Sequence, residues 1–147
     1  MIKFKPLTKQ AEWEWVKKRA KPTQVQDSQG IVAYDDKTYA ILGVVVMDNW
    51  TDSSCQAHIA IDNPFCIKAG LLTEVSKHVH IICNRKYIFG LVPASNTKAH
   101  KFDVKIGFKE VARIPDAYSE GVDYIVLRMD KENNPWLLKL EENKEAA

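Results

Sequence analysis

The run Ile41-Leu42-Gly43-Val44-Val45-Val46-Met47 is the feature that most constrains the fold of this chain. It stops at Asp48, far short of the roughly 18–20 apolar residues of a membrane span. Rich in β-branched residues, it reads as a strand. It lacks polar alternation, so both of its faces must be covered. That requires a central strand with helices on each side. The run Gly30 to Tyr34, joined to it through Asp35-Asp36-Lys37-Thr38, reads as its hairpin partner.

The rest of the chain supplies the surrounding layers. Ile2 to Leu7 alternates as a strand. Thr8 is the expected cap of a helix over Lys9 to Lys21, which must stop before Pro22. Cys55 to Ile61 reads as another strand. Asp62-Asn63-Pro64 then opens a helix expected to run unbroken to Cys83. Its buried stripe would be Ile67, Leu71, Val75, Val79 and Ile82, with Asn84 as a left-handed cap. Tyr87 to Pro93 is a strand, and Asn96 to Ile106 a helix closed by Gly107. Lys109 to Ile114 and Val122 to Met129 are the last strands, joined by a loop over Pro115 to Gly121. Residues 1–130 are expected to form one domain. Residues 131–147 form a charged tail, partly docked through Trp136, Leu137, Leu138 and Leu140, with its last residues frayed. The class is α/β (α+β): a mixed, mostly antiparallel sheet of about six to seven strands flanked by helices.

Composition excludes several functions. A net charge of +2 is too mild for a nucleic-acid stripe. Lys17, Lys18, Arg19 and Lys21 cluster late in a helix, where cations offset the macrodipole. Three cysteines with no paired spacing argue against disulfides and for a reducing, cytoplasmic setting. His78 and His80 point in nearly opposite directions on a helix, so no metal site is expected. The N-terminal residues lack the apolar core of a secretory leader.

The segment Asn96-Thr97-Lys98-Ala99-His100-Lys101-Phe102-Asp103-Val104-Lys105-Ile106-Gly107-Phe108 resembles the C-terminal motif of the GNAT acyltransferases. That motif has Asn, Ala three residues later, a large apolar residue, often Tyr next, and a closing Gly-Phe. Asn96, Ala99, Phe102, Gly107 and Phe108 match in register, and the order of elements matches over roughly residues 1 to 130. The chain also resembles small GNAT-like proteins encoded by phages.

The resemblance implies a cytoplasmic enzyme that moves an acetyl group from acetyl-CoA, as cosubstrate, to an amine. The family cradles the coenzyme pyrophosphate on the motif Q/R-x-x-G-x-G/A at a helix start. Alignment on Leu71-Leu72 puts Asn63, Cys66 and Lys68 at the positions of the basic or amide residue and the two glycines. The expected phosphate site is thus Cys66 N–H, Ile67 N–H and Lys68. Ile61, Ala69, Asn96 and Phe102 complete the cofactor-binding set. The family's acid, a Tyr, is replaced by Asp103. Beside Lys101 and Lys105 it is expected to be exposed and ionised, and it can donate a proton only if burial raises its pKa.

Alternation puts Ala57, Ile59 and Ile61 on one face of their strand and Gln56, His58, Ala60 and Asp62 on the other. His58 is the expected general base, because histidine changes charge nearest neutral pH. Asp62 is expected to cap or turn. Cys66, near a helix N-terminus and Lys68, is a second candidate nucleophile with Cys55, though neither has an identifiable histidine partner. The expected partners are an amine-bearing small molecule or protein acceptor and a second copy in a homodimer, with no membrane and no nucleic acid. The alternative is a non-catalytic binding module of the same fold, with Trp13, Trp50, Tyr118 and Trp136 as its contact surface. A weaker third reading is an enzyme that modifies a nucleic-acid base.

Overall fold

The computed structural model describes residues 1–146, with side chains as far as Lys144; the fraying expected of the last residues lies outside that description. Among the described residues seven strands are present: β1 (Ile2–Pro6), β2 (Gln29–Asp35), β3 (Ile41–Asp48), β4 (Ser54–Ile61), β5 (Tyr87–Pro93), β6 (Lys109–Ser119) and β7 (Val122–Asp130). They form one sheet in the order β1-β2-β3-β4-β5-β7-β6. Every neighbouring pair is antiparallel except β4 and β5, which run parallel. The helices are α1 (Gln10–Lys17), α2 (Phe65–Ala69), α3 (Leu71–Ser76), α4 (Thr97–Ile106) and α5 (Pro135–Ala146). None is long and apolar enough to cross a membrane.

The apolar run of β3 lies inside the sheet and is covered on both sides, as its sequence demands. Val44 and Val46 pack with Val32, Ala60 and the α1 residues Trp13 and Val16. Val45 and Met47 face the other layer, with Leu71, Leu72, Val75, Ile106 and Phe108. Each such side chain contributes about 1.5–3 kcal/mol by leaving water.

Thr8 is not the cap of α1. Glu12 reaches back instead, and one of its carboxylate oxygens accepts from the Thr8 and Lys9 N–H groups at 3.2 and 3.0 Å. The helix ends at Lys17, earlier than the distance to Pro22 allows.

The expected unbroken helix from Pro64 to Cys83 is two helices. Gly70 has φ +126°, a conformation that only glycine adopts without strain, and it separates α2 from α3. Beyond Ser76 the chain winds as a π-helix, Lys77–Ile82. The wider turn shifts the phase of the buried stripe. His80 is fully buried, whereas Ile82 is 72% exposed. Asn84 does end the segment in a left-handed conformation, φ 54°. At the other end of the sheet, β6 takes up Pro115 to Ser119, and Gly121 (φ +76°) makes the turn into β7.

The segment after β7 is anchored at its start. Asn134 is completely buried; its Nδ2 donates to Ser76 Oγ at 2.9 Å, and that hydroxyl donates to the Leu72 carbonyl at 2.7 Å. Trp136 Nε1 donates to the Ile106 carbonyl at 2.9 Å. The base of α5 therefore ties the end of α3 to the end of α4.

Candidate functional site

The parallel pair β4 and β5 is joined at only three positions, Ser54 with Tyr87, Cys55 with Ile88 and Gln56 with Phe89. Beyond them the strands are no longer paired, although β4 continues to Ile61 and β5 to Pro93. The unpaired stretches open a cleft in the middle of the sheet. Ala57, Ile59 and Ile61 line its α3 side and pack against that layer. His58 and Ala60 face the α1 side, where they pair with Val46 and Val44.

On the α3 side, the free backbone donors are not where the alignment expects them. Cys66 N–H donates to the Asn63 carbonyl and Ile67 N–H to the Pro64 carbonyl, at 3.1 Å each. Cys66 is fully buried and packs on the bare α-carbon of Gly43, where an added Cβ would stand 2.8 Å from its Sγ. Burial pushes its thiol up to about 11, and that of Cys55 up to about 12. Neither is an activated nucleophile. The unused donors sit one turn later. Gly70 N–H bonds to Ile67 and Glu74 N–H to Gly70, leaving Leu71, Leu72 and Thr73 N–H without protein acceptors among the described residues. These three open α3 beside the exposed Lys68, with the Thr73 side chain part-exposed among them. The spacing of Gly70 ahead of Leu71-Leu72-Thr73 was the sequence signal for this arrangement.

Asp103 lies on the inner side of α4 with Ala99, Phe102 and Ile106, three residues that pack on the core. Its Oδ2 lies 3.8 Å from where a Cβ on Gly90 would stand, so the carboxyl occupies the space that glycine leaves above β5. No side-chain hydrogen bond or ion pair reaches it among the described residues. Desolvation raises its pKa to about 7. The expectation of an exposed, ionised carboxylate is thereby corrected: Lys101 is on the outer side of the helix, and Asp103 points inward.

On the α1 side, His58 Nε2 is 3.0 Å from Asp48 Oδ2. Asp48 is the last residue of β3 and only 7% exposed. When that carboxylate accepts, Nε2 holds the proton and Nδ1 is the basic atom. Sequence reasoning ended the strand at Met47 and so missed Asp48. Pairing β3 with β4 would have found it, since Val46, Asp48 and His58 share a face.

Other expected site residues have structural roles. Asn96 Oδ1 accepts from Ala99 N–H at 3.1 Å and caps α4. Ile61 and Phe102 pack against the core, whereas Ala69 is exposed. Asp62 is held by the Arg19 guanidinium in two hydrogen bonds of 2.9 Å, which tether α1 to the end of β4. Trp13 is 5% exposed and Trp50 and Trp136 pack on the core, so these three do not form the exposed surface expected of them. Among the described residues no group of three or more His, Cys, Asp or Glu side chains is placed to hold a metal ion.

No protein-family model and no curated protein matches the sequence. Solved structures do match the fold. A GNAT-family protein from Desulfovibrio desulfuricans superposes with a TM-score of 0.71 at 16% identity, covering 89% of this chain and 99% of its own. A GNAT acetyltransferase from Elizabethkingia anophelis with acetyl-CoA bound gives 0.70 at 16% identity, covering 88% and 97%. Spermidine/spermine N-acetyltransferase from Vibrio cholerae gives 0.68 at 13% identity, covering 89% and 93%. The chain has the GNAT fold.

Proposed function

We propose that the chain is an N-acyltransferase that moves an acetyl group from acetyl-CoA to an amine, with His58 as base and Asp103 as acid. The observation that carries this reading is the placement of the two groups on opposite faces of the same opening. Asp103 stands over Gly90, the first β5 residue beyond the pairing with β4, and His58 stands two residues beyond the last β4 residue paired with β5. An amine arriving from the α1 side would give a proton to His58 Nδ1 as its nitrogen bonds to the thioester carbon. The carbon–sulfur bond then breaks, and Asp103 supplies a proton to the departing thiolate. A carboxyl with a pKa near 7 is about half protonated at neutral pH and gives its proton up readily, as a general acid must.

The donor's pyrophosphate fits the start of α3 better than the Cys66–Lys68 stretch. Leu71, Leu72 and Thr73 N–H have no protein acceptor among the described residues, Gly70 permits close backbone approach, and Lys68 supplies positive charge nearby. The pantetheine arm would run along the unpaired edge of β4 from Ile61 towards Ala57, with Asn96 and Phe102 on the α4 side. The acceptor is an amine-bearing small molecule or protein. Because one solved neighbour acts on spermidine, a test panel should contain polyamines as well as peptides.

Acetyl-CoA should raise the melting temperature saturably, since it binds the folded state alone. Lys68→Glu should weaken that binding about tenfold. Release of coenzyme A that depends on an added amine is the decisive readout. No stabilisation at millimolar acetyl-CoA would sink the transferase reading and leave a GNAT-fold interaction module.

A further inference from the structure

Below the point where β4 and β5 part, the α3 side of the cleft ends in an apolar void of about 10 Å³. Ala57, Ile59, Val75, Ile88, Phe108 and Trp136 are among its walls. A space that small holds no more than about one water molecule. Phe108 links it to the space above Gly90 that the Asp103 carboxyl occupies. Phe108 Cε1 and Asp103 Oδ2 each lie 3.8 Å from where a Cβ on Gly90 would stand, and Phe108 also lines the void. Ile88, the β5 residue on that wall, is two positions before Gly90 on the same face.

Trp136 is the bulkiest wall, and it is held from three directions. Its Nε1 donates to the Ile106 carbonyl at 2.9 Å, and its backbone N–H donates to Asn134 Oδ1 at 2.9 Å. Asn134 is itself buried and bonded to Ser76. Pro135, next to it, sits where Gly107 has no side chain; a Cβ there would stand 2.8 Å from the proline ring. The indole is thus fixed between the ends of α3 and α4 and cannot swing aside without breaking this set of bonds.

We infer that Trp136 is a specificity-determining residue that limits the donor to a short acyl group. The inference rests on the transferase reading above, which puts the thioester carbonyl beside Asp103. From that position an acyl chain extends between the parted strands towards Ala57 and Ile88. An acetyl methyl ends before the void; a chain of four or more carbons runs into the indole. The C-terminal segment, outside the elements that carry the acid and base, therefore sets which thioesters the site accepts.

The test is a ladder of acetyl-, butyryl- and hexanoyl-CoA measured by binding and by amine-dependent coenzyme A release, with free coenzyme A as reference. Wild type should take acetyl-CoA at least about tenfold better than hexanoyl-CoA. Trp136→Ala should reverse the order, each newly buried methylene being worth about fourfold. Trp136→Phe keeps a ring but loses the Nε1 donor, and should retain the preference for acetyl. Equal use of all three donors by wild type overturns the inference whatever the variants do. So does an unchanged acetyl preference in Trp136→Ala that binds free coenzyme A normally. If wild type binds neither coenzyme A nor its thioesters, the transferase reading fails and this inference falls with it.

Discussion

The two faces of the parted strands tune their ionisable groups by opposite means. On the α1 side, His58 is oriented by a partner, the buried Asp48 carboxylate at 3.0 Å. On the α3 side, Asp103 has no side-chain partner among the described residues, and its pKa is raised to about 7 because the surroundings solvate the charge poorly. A base needs one nitrogen directed at the incoming proton, which a hydrogen bond to the other nitrogen provides. An acid needs a proton held until late, which isolation provides. The same cleft thus separates orientation from affinity.

The largest expected effect breaks the isolated side. Asp103→Asn preserves shape and removes the proposed proton donor, so turnover should fall about 10²- to 10⁴-fold while acetyl-CoA binding stays within about threefold. Steady-state kinetics beside a binding titration checks this. Loss of binding in parallel with turnover would mean that Asp103 shapes the pocket instead of delivering a proton. Activity of the wild type should also decline as pH rises above about 7, when the donor becomes ionised.

Isolation should also be visible in stability. The folded-state pKa of Asp103 lies above its ordinary value of 3.8, so the native state binds this proton more tightly than the unfolded chain does. Its stabilising contribution is therefore complete below about pH 4 and is lost as pH rises to about 7, after which it is level. One unit of separation corresponds to about 1.4 kcal/mol. Urea unfolding of wild type and Asp103→Asn should show a stability difference that moves in the variant's favour by a few kcal/mol between pH 4 and pH 8. A difference that stays flat across that range contradicts a buried, unpartnered carboxyl.

Much of the sheet was legible because its signals are local and mutually consistent. The apolar run of β3, the alternation of β4 and the Gly107-Phe108 ending of α4 each specify one local structure. The features that decide the site were less legible because they depend on what lies across the fold. Lys101 and Lys105 make Asp103 look solvated; its burial comes from the missing side chain at Gly90, on a different element. Asp48 reads only as the residue that ends the apolar run until β3 is laid against β4. The phase of the helix after Gly70 was lost to a π-wound segment, which no period of 3.6 anticipates, and His80 and Ile82 exchanged places as a result.

The oriented side should break more gently. Asp48→Asn keeps a hydrogen-bonding group beside His58 but no longer specifies which ring nitrogen carries the proton. Turnover should drop about ten- to a hundredfold with little change in KM for acetyl-CoA, and the acidic limb of the pH profile, which reports the base, should shift. His58→Ala on top of it should add little beyond its own effect, because the two side chains act as one unit. Independent, multiplying losses would separate them and leave Asp48 a purely structural residue.

The smallest effect tests how far Asp103 depends on the helix that carries it. Asn96 caps α4 by accepting from Ala99 N–H, two turns before Asp103. Asn96→Ala should cost about 1 kcal/mol, read as a fall of about 2–4 °C in Tm. The far end of the helix is still held through Ile106 and Trp136, so Asp103 should stay over Gly90 and turnover should remain within about twofold. A loss of acetyl-CoA affinity well beyond tenfold, at unchanged turnover per bound donor, would instead assign the Asn96 amide to the coenzyme arm. Asn96→Asp distinguishes the two, because it preserves the capping oxygen and removes the amide donor. A capping role predicts rescue of Tm and affinity together, whereas a coenzyme contact predicts rescue of Tm alone.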